Sequence, residues 1–262
     1  MKKIIVTPAG RERYLKTLKK YIEREKGTFD EWHLWLNTNV QSDIDYCNSI
    51  ENDWIKIQRL PNINTVSSMN IHKFFQFAKD PDAVYIRLDD DIVFLEPGFF
   101  TKLFQTRIDN PEPFLIYPNI INNSIVSHLH QRNKLFTIPG IITYTCMDKE
   151  GWKNPNVAEA LHRAFIQDVK DGQIEKWKTS FRLWDLWHYE RVSINCVSWL
   201  GSVFENLTVG ADEEQWLSCE KPSRLKKANL LVHEPICVHF SFFTQREHLD
   251  KTDILEQYDS LV

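Results

Sequence analysis

Short apolar runs alternate with amphipathic stretches through the first half of the chain. Residues 3–6 (Lys3-Ile4-Ile5-Val6) make the first run, and Thr7-Pro8-Ala9-Gly10 ends it. The spacing then predicts a helix over 11–25, because Tyr14, Leu15, Leu18 and Ile22 fall on one face. Further strands are predicted over 32–36, 54–60, 83–88 and 114–117, with helices over 69–78 and from Pro97-Gly98 onward. Parallel strands need a crossover connection between them, so this alternation predicts an α/β fold with a mainly parallel, Rossmann-like sheet flanked by helices. The second half is less regular. It predicts a helix over 157–169, a strand over 192–200 and a short helix over 212–219. One or two strands over 230–243, interrupted at Pro235, and a helical tail from residue 253 complete the reading. No linker-like composition and no repeat divides the chain, so one domain over 1–262 is expected.

Composition narrows the classes of function. Of 262 residues, 42% are hydrophobic and 26% charged, as in an ordinary globular enzyme. There are nine Trp but only eight Gly. Surplus Trp suggests concave surfaces that meet a ligand, while scarce glycine argues against a phosphate loop, and neither G-x-G-x-x-G nor G-x-x-x-x-G-K occurs. The formal net charge is −4, and the basic pairs Lys2-Lys3, Lys19-Lys20 and Lys226-Lys227 are scattered, so nucleic acid is not an expected partner. Five widely spaced cysteines without C-x-x-C favour neither a zinc site nor a disulfide framework. No secretory leader and no transmembrane run are apparent, and the expected location is cytoplasmic.

The most informative segment is Tyr85-Ile86-Arg87-Leu88-Asp89-Asp90-Asp91-Ile92-Val93-Phe94. If the strand continues through it, Asp89 and Asp91 project to one side and Asp90 to the other. Neighbouring carboxylates repel, and one tends to hold its proton unless a cation joins them. Oxygen ligands of this kind suit Mg²⁺ or Mn²⁺, which take their remaining ligands from water and substrate phosphates. A solvated turn is the plainer reading, but the apolar residues on both sides argue against it.

An apolar strand, then D-x-D, then an apolar segment, in a chain that begins strand–loop–helix, resembles the GT-A fold of glycosyltransferases that use nucleotide sugars. The resemblance implies a nucleotide-binding half to about residue 118 and an acceptor half after it. It implies that Asp91 ligates Mn²⁺ or Mg²⁺ bridging the donor diphosphate, with Asp89 on the metal through water or on the ribose. It places the nucleotide over Thr7, Pro8, Ala9, Gly10 and Arg11, with Asp89 and Asp90 beside it, although an ordinary strand-to-helix turn explains that loop equally well. Lys73 and Arg87 are candidates for the diphosphate, Asn37 and Asn39 for the nucleotide. A late histidine often completes the metal shell in such enzymes. His239 matches that order best and His233 comes second, against the simpler view of a core histidine.

Glu213 and Asp212 are the candidate bases for an inverting reaction, which needs a carboxylate to take the acceptor's proton. Asp212 with Gln215 is also a good helix cap, so Glu213 is preferred. Trp184, Trp187 and His188 stand at helical spacing and predict a core stripe, with an acceptor platform as the second explanation. The polar run Asn119-Ile120-Ile121-Asn122-Asn123, continuing to His128, His130 and Arg132, is a candidate lining for the acceptor cleft, and a loop with Asn turn chemistry explains it nearly as well. The expected function is metal-dependent transfer of a monosaccharide from a nucleotide-diphosphate sugar to a hydroxyl of a glycan or other acceptor, with inversion. A sugar-phosphate nucleotidyltransferase is the alternative enzyme, and a non-catalytic carbohydrate-binding protein the alternative class.

Overall fold

The computed structural model describes every residue except 62, 64, 65, 68 and 180. The chain order is β1 (Lys2–Ala9), α1 (Glu12–Arg24), β2 (Glu31–Leu36), α2 (Gln41–Ser49), β3 (Ile55–Gln58), a 3-10 helix (Ile71–Gln76), β4 (Ala83–Leu88) and β5 (Ile92–Leu95). Then come α3 (Phe99–Asp109), β6 (Ile116–Ile121), α4 (Ser124–Arg132), a π-turn (Lys149–Lys153), α5 (Pro155–Lys170), a second 3-10 helix (Ile174–Lys178), β7 (Leu183–Leu186) and β8 (Cys196–Leu200). The chain finishes with α6 (Gly201–Phe204), α7 (Glu213–Gln215), a π-turn (Trp216–Glu220), α8 (Lys221–Leu225), β9 (Asn229–His239), α9 (Phe243–Leu249) and α10 (Ile254–Asp259).

All strands join one sheet in the order β3-β2-β1-β4-β8-β6-β9-β5, with β7 also on β9. Along the path from β3 to β9 only β8 runs against the others, pairing antiparallel with both β4 and β6. The expected α/β class with a mainly parallel central sheet is therefore what the chain adopts. Strand β9 is long enough to carry β7 on residues 229–232 and β5 on residues 237–239 along the same edge. Helix α3 lies across β4, β8 and β9, while α1 and α10 pack over β5 and α5 reaches it through Phe165 on Phe94.

The core follows the apolar runs. Ile4, Ile5 and Val6 of β1, and Leu15, Leu18 and Ile22 of α1, are each 3% exposed or less. Each such side chain contributes roughly 1.5–3 kcal/mol by leaving water. Trp32, Trp177 and Trp199 are fully buried as well, so much of the tryptophan surplus builds the core and not a binding surface. Among the described residues no helix is long and apolar enough to cross a membrane.

Several expectations are corrected. Residues 183–186 form strand β7, not part of a helix, and Trp187 is left largely exposed. Strand β9 pairs with this segment over four residues, and that pairing overrides the local helical spacing. The polar stretch after residue 118 is also not a loop. Asn119 lies inside β6, donating from its side-chain amide to the carbonyls of Trp177 and His233, and 124–132 is helix α4. Residues 89–91 do not extend β4. They form a turn closed by the Ile92 N–H on the Asp89 carbonyl at 3.1 Å, so side-chain alternation does not apply to the triplet.

Candidate active site at the β4–β5 turn

Three elements set the site. Strand β1 ends at Ala9, and only Gly10 and Arg11 separate it from α1. A Cβ at Gly10 would stand 2.6 Å from the Asn37 carbonyl oxygen, so only glycine lets this loop pass the end of β2. The adjacent β4 then delivers the triplet beside that loop. A cavity of about 340 Å³ opens here, lined among others by Pro8, Gly10, Arg11, Arg87, Asp89, Asp90, Glu213 and Arg246. A larger groove of about 1010 Å³ runs along the outer side of α1. Its lysines are tied up in surface pairs (Lys16–Glu12, Lys19–Glu23, Lys20–Asp259), and it gathers no comparable chemistry.

Each aspartate of the triplet has its own partner set. Asp90 is buried, accepts the Gly10 N–H at 2.8 Å and holds the Arg11 guanidinium, whose Nε lies at 2.9 Å. It ties the β1–α1 loop to the turn. Asp89 accepts from Arg87 at 2.9 Å, and Arg87 in turn reaches Glu213 at 3.0 Å. The Arg87 guanidinium lies 5.9 Å from the ring centres of Phe74 and Phe75, so the 3-10 helix over 71–76 fixes it in place. Asp91 is 1% exposed and meets Arg11 at 3.0 Å and Arg246 at 3.3 Å through one oxygen.

Electrostatics separate these acids. Burial pushes Asp89 up to about 7 against the pull of Arg87, with Asp91 and Glu213 adding repulsion. Burial also raises Asp91, but the guanidiniums of Arg11 and Arg246 more than offset it and hold that carboxyl below the ordinary range. Adjacent carboxylates pushed apart in this way are a recurring mark of reactive sites.

The other oxygen of Asp91, Oδ1, is buried and has no hydrogen-bond partner. It faces Nε2 of His239 at 3.6 Å. Nδ1 of that ring lies 3.2 Å from the Asn122 carbonyl, which can only accept, so Nδ1 carries the proton and Nε2 presents a lone pair. Burial lowers the His239 pKa and keeps the ring neutral near pH 7. Two acceptors therefore point at each other across a span too long for a hydrogen bond. A divalent cation with bonds of about 2.1 Å fits between such ligands. Among the described residues no group of three or more His, Cys, Asp or Glu is arranged to hold a metal alone. The donors fit a cation that takes part of its shell from substrate phosphate and water.

The remaining expected residues divide. Glu213 lines the cavity with Oε2 buried and unpartnered. Asp212 lies outside it, capping α7 through the Gln215 N–H at 3.1 Å and pairing with Arg191. Thr7 is turned into the core, where its hydroxyl accepts from Trp32 Nε1 at 3.0 Å, and Ala9 is fully buried. Lys73 is exposed on the 3-10 helix and does not line the cavity. Asn37 lines it, whereas Asn39 bonds Val66 and His233 bonds the Arg182 carbonyl elsewhere. Arg246 is the main residue the sequence reading passed over. Its one signal is a cation seven positions after His239, which carries meaning only once α9 folds back over Asp91.

No protein-family model matches the chain, and no curated protein matches it. Solved structures do. A mycobacterial protein aligns over 99% of this chain and 73% of its own, with 11% identity and a TM-score of 0.51. The 4-diphosphocytidyl-2C-methyl-D-erythritol synthase of Anaerococcus prevotii aligns over 99% and 95%, at 12% identity and TM-score 0.44. The 2-C-methyl-D-erythritol 4-phosphate cytidylyltransferase of Francisella tularensis matches 46% of this chain at 13% identity and TM-score 0.32, and the chain spans 58% of that protein's length. At such identities the likeness concerns the fold. Of these three names one is that of a cytidylyltransferase and none is that of a glycosyltransferase.

Proposed function

We propose that this chain is a metal-dependent glycosyltransferase that takes its sugar from a nucleotide diphosphate. The observation that carries the reading is the pair of unprotonated, buried acceptors, Asp91 Oδ1 and His239 Nε2, set 3.6 Å apart behind Arg11 and Arg246, which line the cavity. Mg²⁺ or Mn²⁺ bound there supplies Lewis-acid neutralisation of the leaving diphosphate. Arg11 and Arg246 stand between Asp91 and the cavity, and their planar guanidiniums suit paired phosphate oxygens. The N-terminus of α1 begins at Arg11, where its partial positive charge favours the same phosphates. Arg87 holds Asp89 and Glu213 together, and Glu213 keeps a free carboxylate oxygen to accept the proton of an attacking hydroxyl.

A nucleotidyltransferase would use the same acids but must wrap a triphosphate. Here the β1–α1 connection has two residues, and the Gly10 N–H is already committed to Asp90. That short loop favours glycosyl transfer over nucleotidyl transfer. The test is a thermal-shift screen of nucleoside diphosphates with and without Mn²⁺, since a ligand that binds only the native state raises its stability. A shift that depends on metal is expected, followed by release of nucleoside diphosphate when the matching nucleotide sugar and an acceptor are added. Diphosphate release from a sugar phosphate and a nucleoside triphosphate would instead establish the nucleotidyltransferase. Sugar binding indifferent to EDTA and to nucleotides would leave a carbohydrate-binding protein.

A further inference from the structure

Phe243 is 69% exposed, although it opens a helix packed onto the candidate site. Its ring meets Trp152 edge-on at 5.0 Å, and Trp152 also contacts Phe242 at 5.9 Å. Phe242 then packs against the His239 ring at 4.6 Å. An aromatic path thus runs from the surface to the imidazole that faces Asp91. Arg246, one helical turn after Phe243, lines the cavity itself.

The fold spends specific groups on holding this pair. The Trp152 carbonyl accepts from the Thr244 hydroxyl at 2.6 Å, and the Gly151 carbonyl from Gln245 at 3.4 Å. Gln245 is bonded in turn by Asn122, whose own carbonyl receives the His239 proton. Asp148 caps the π-turn by accepting the N–H groups of Glu150 and Gly151 at 2.8 and 2.7 Å. A Cβ at Gly151 would stand 2.8 Å from Ile142 and 2.9 Å from the Ser124 hydroxyl, so the turn needs glycine to seat against α4. Turns of this width recur at functional sites. A generic exposed phenylalanine needs none of this support.

We propose that Trp152 and Phe243 form the acceptor subsite, one ring stacking against the C–H face of a pyranose while the other, set edge-on to it, borders the sugar on the side of Arg246. The inference rests on the glycosyltransferase reading and names its acceptor class. Aromatic faces beside polar groups suit a sugar, which offers an apolar face and a rim of hydroxyls. Arg246 supplies the polar edge on the cavity side.

The test is saturation-transfer NMR on the full chain with methyl β-D-glucopyranoside, methyl β-D-galactopyranoside and methyl α-D-mannopyranoside. Saturation concentrated on the C–H protons of one ring face is expected for at least one glycoside. Phe243→Leu should cut it about fivefold, the scale of a lost aromatic contact, while Phe243→Tyr preserves it. The metal-dependent nucleotide shift should stay unchanged in both, because neither touches the cavity residues. No saturation with any glycoside, or equal signals from the Leu and Tyr variants, overturns the proposal. If the nucleotide shift survives while glycosides fail, only the subsite is lost. If glycosides bind through the pair but no nucleotide shift occurs, the enzymatic reading falls and the stacking site remains.

Discussion

Asp91 and Glu96 stand at the two ends of β5, both nearly inaccessible to water, and the protein treats them in opposite ways. Both oxygens of Glu96 are used: Lys102 and Lys178 donate to Oε1 at 2.7 and 2.6 Å, and the Ile236 N–H donates to Oε2 at 2.9 Å. Glu25 is closed in the same manner, receiving the N–H groups of Gly98, Phe99 and Phe100 at the start of α3. Asp91 keeps one buried oxygen unpartnered opposite a neutral imidazole, and Glu213 keeps another. A buried acid with every lone pair satisfied supports the scaffold. One left open costs stability, commonly about 1–3 kcal/mol, and persists where a ligand completes it.

The sharpest way to break this contrast is Asp91→Asn. It keeps shape and loses charge, and metal-dependent nucleotide affinity measured by calorimetry should fall at least about 100-fold while the fold survives. Retained affinity would mean that the open oxygen is not a cation ligand. Glu96→Gln should behave inversely. It weakens one buried contact of Lys178, which keeps Glu175 at 2.6 Å, and should lower unfolding free energy by about 2 kcal/mol in a urea titration, with nucleotide affinity untouched.

A pH series sharpens the same comparison. The raised Asp89 pKa of about 7 means that the folded state holds a proton the unfolded chain releases near the ordinary value. This group's contribution to stability is therefore full below about pH 4 and declines as pH rises through 7. Asp89 sits close enough to Asp91 to repel it, and its negative charge, present only above about pH 7, favours a cation held by Asp91 and His239. Metal-dependent affinity should therefore strengthen from pH 6 to 8 by about tenfold, and Asp89→Asn should flatten the profile. The smallest effect concerns Asp212. Asp212→Ala should cost about 1 kcal/mol as a lost cap and leave turnover nearly intact, whereas Glu213→Gln should reduce kcat. Equal loss of turnover in both variants would remove the distinction between cap and base.

Strands β1, β2 and β4 were legible because each holds a short apolar run, although β1 continues through Thr7, Pro8 and Ala9, whose composition predicts a closing turn, and α1 because its buried side chains recur on one face. Helix α2 was not, since Cys47 is its one buried residue and leaves no apolar stripe to read. Strand β7 was misread because Trp184, Trp187 and His188 imitate a helical stripe until β9 pairs with the segment. At the site, the acidic triplet stood out by its apolar flanks, and His239 and Glu213 by their order in the resemblance. Thr7 and Lys73 did not enter the cavity, the first claimed by Trp32 and the second left in solvent.

The amino-acid order by itself determined which segments leave water and where acidic side chains interrupt them, because burial and period are local properties of a chain. Only the folded molecule decided that Asp89 turns to Arg87 while Asp90 and Asp91 share Arg11, that Arg246 comes from 155 positions away to meet Asp91, and which oxygens stay open. Those outcomes depend on distances between residues remote in sequence, and such distances exist only after the sheet has closed.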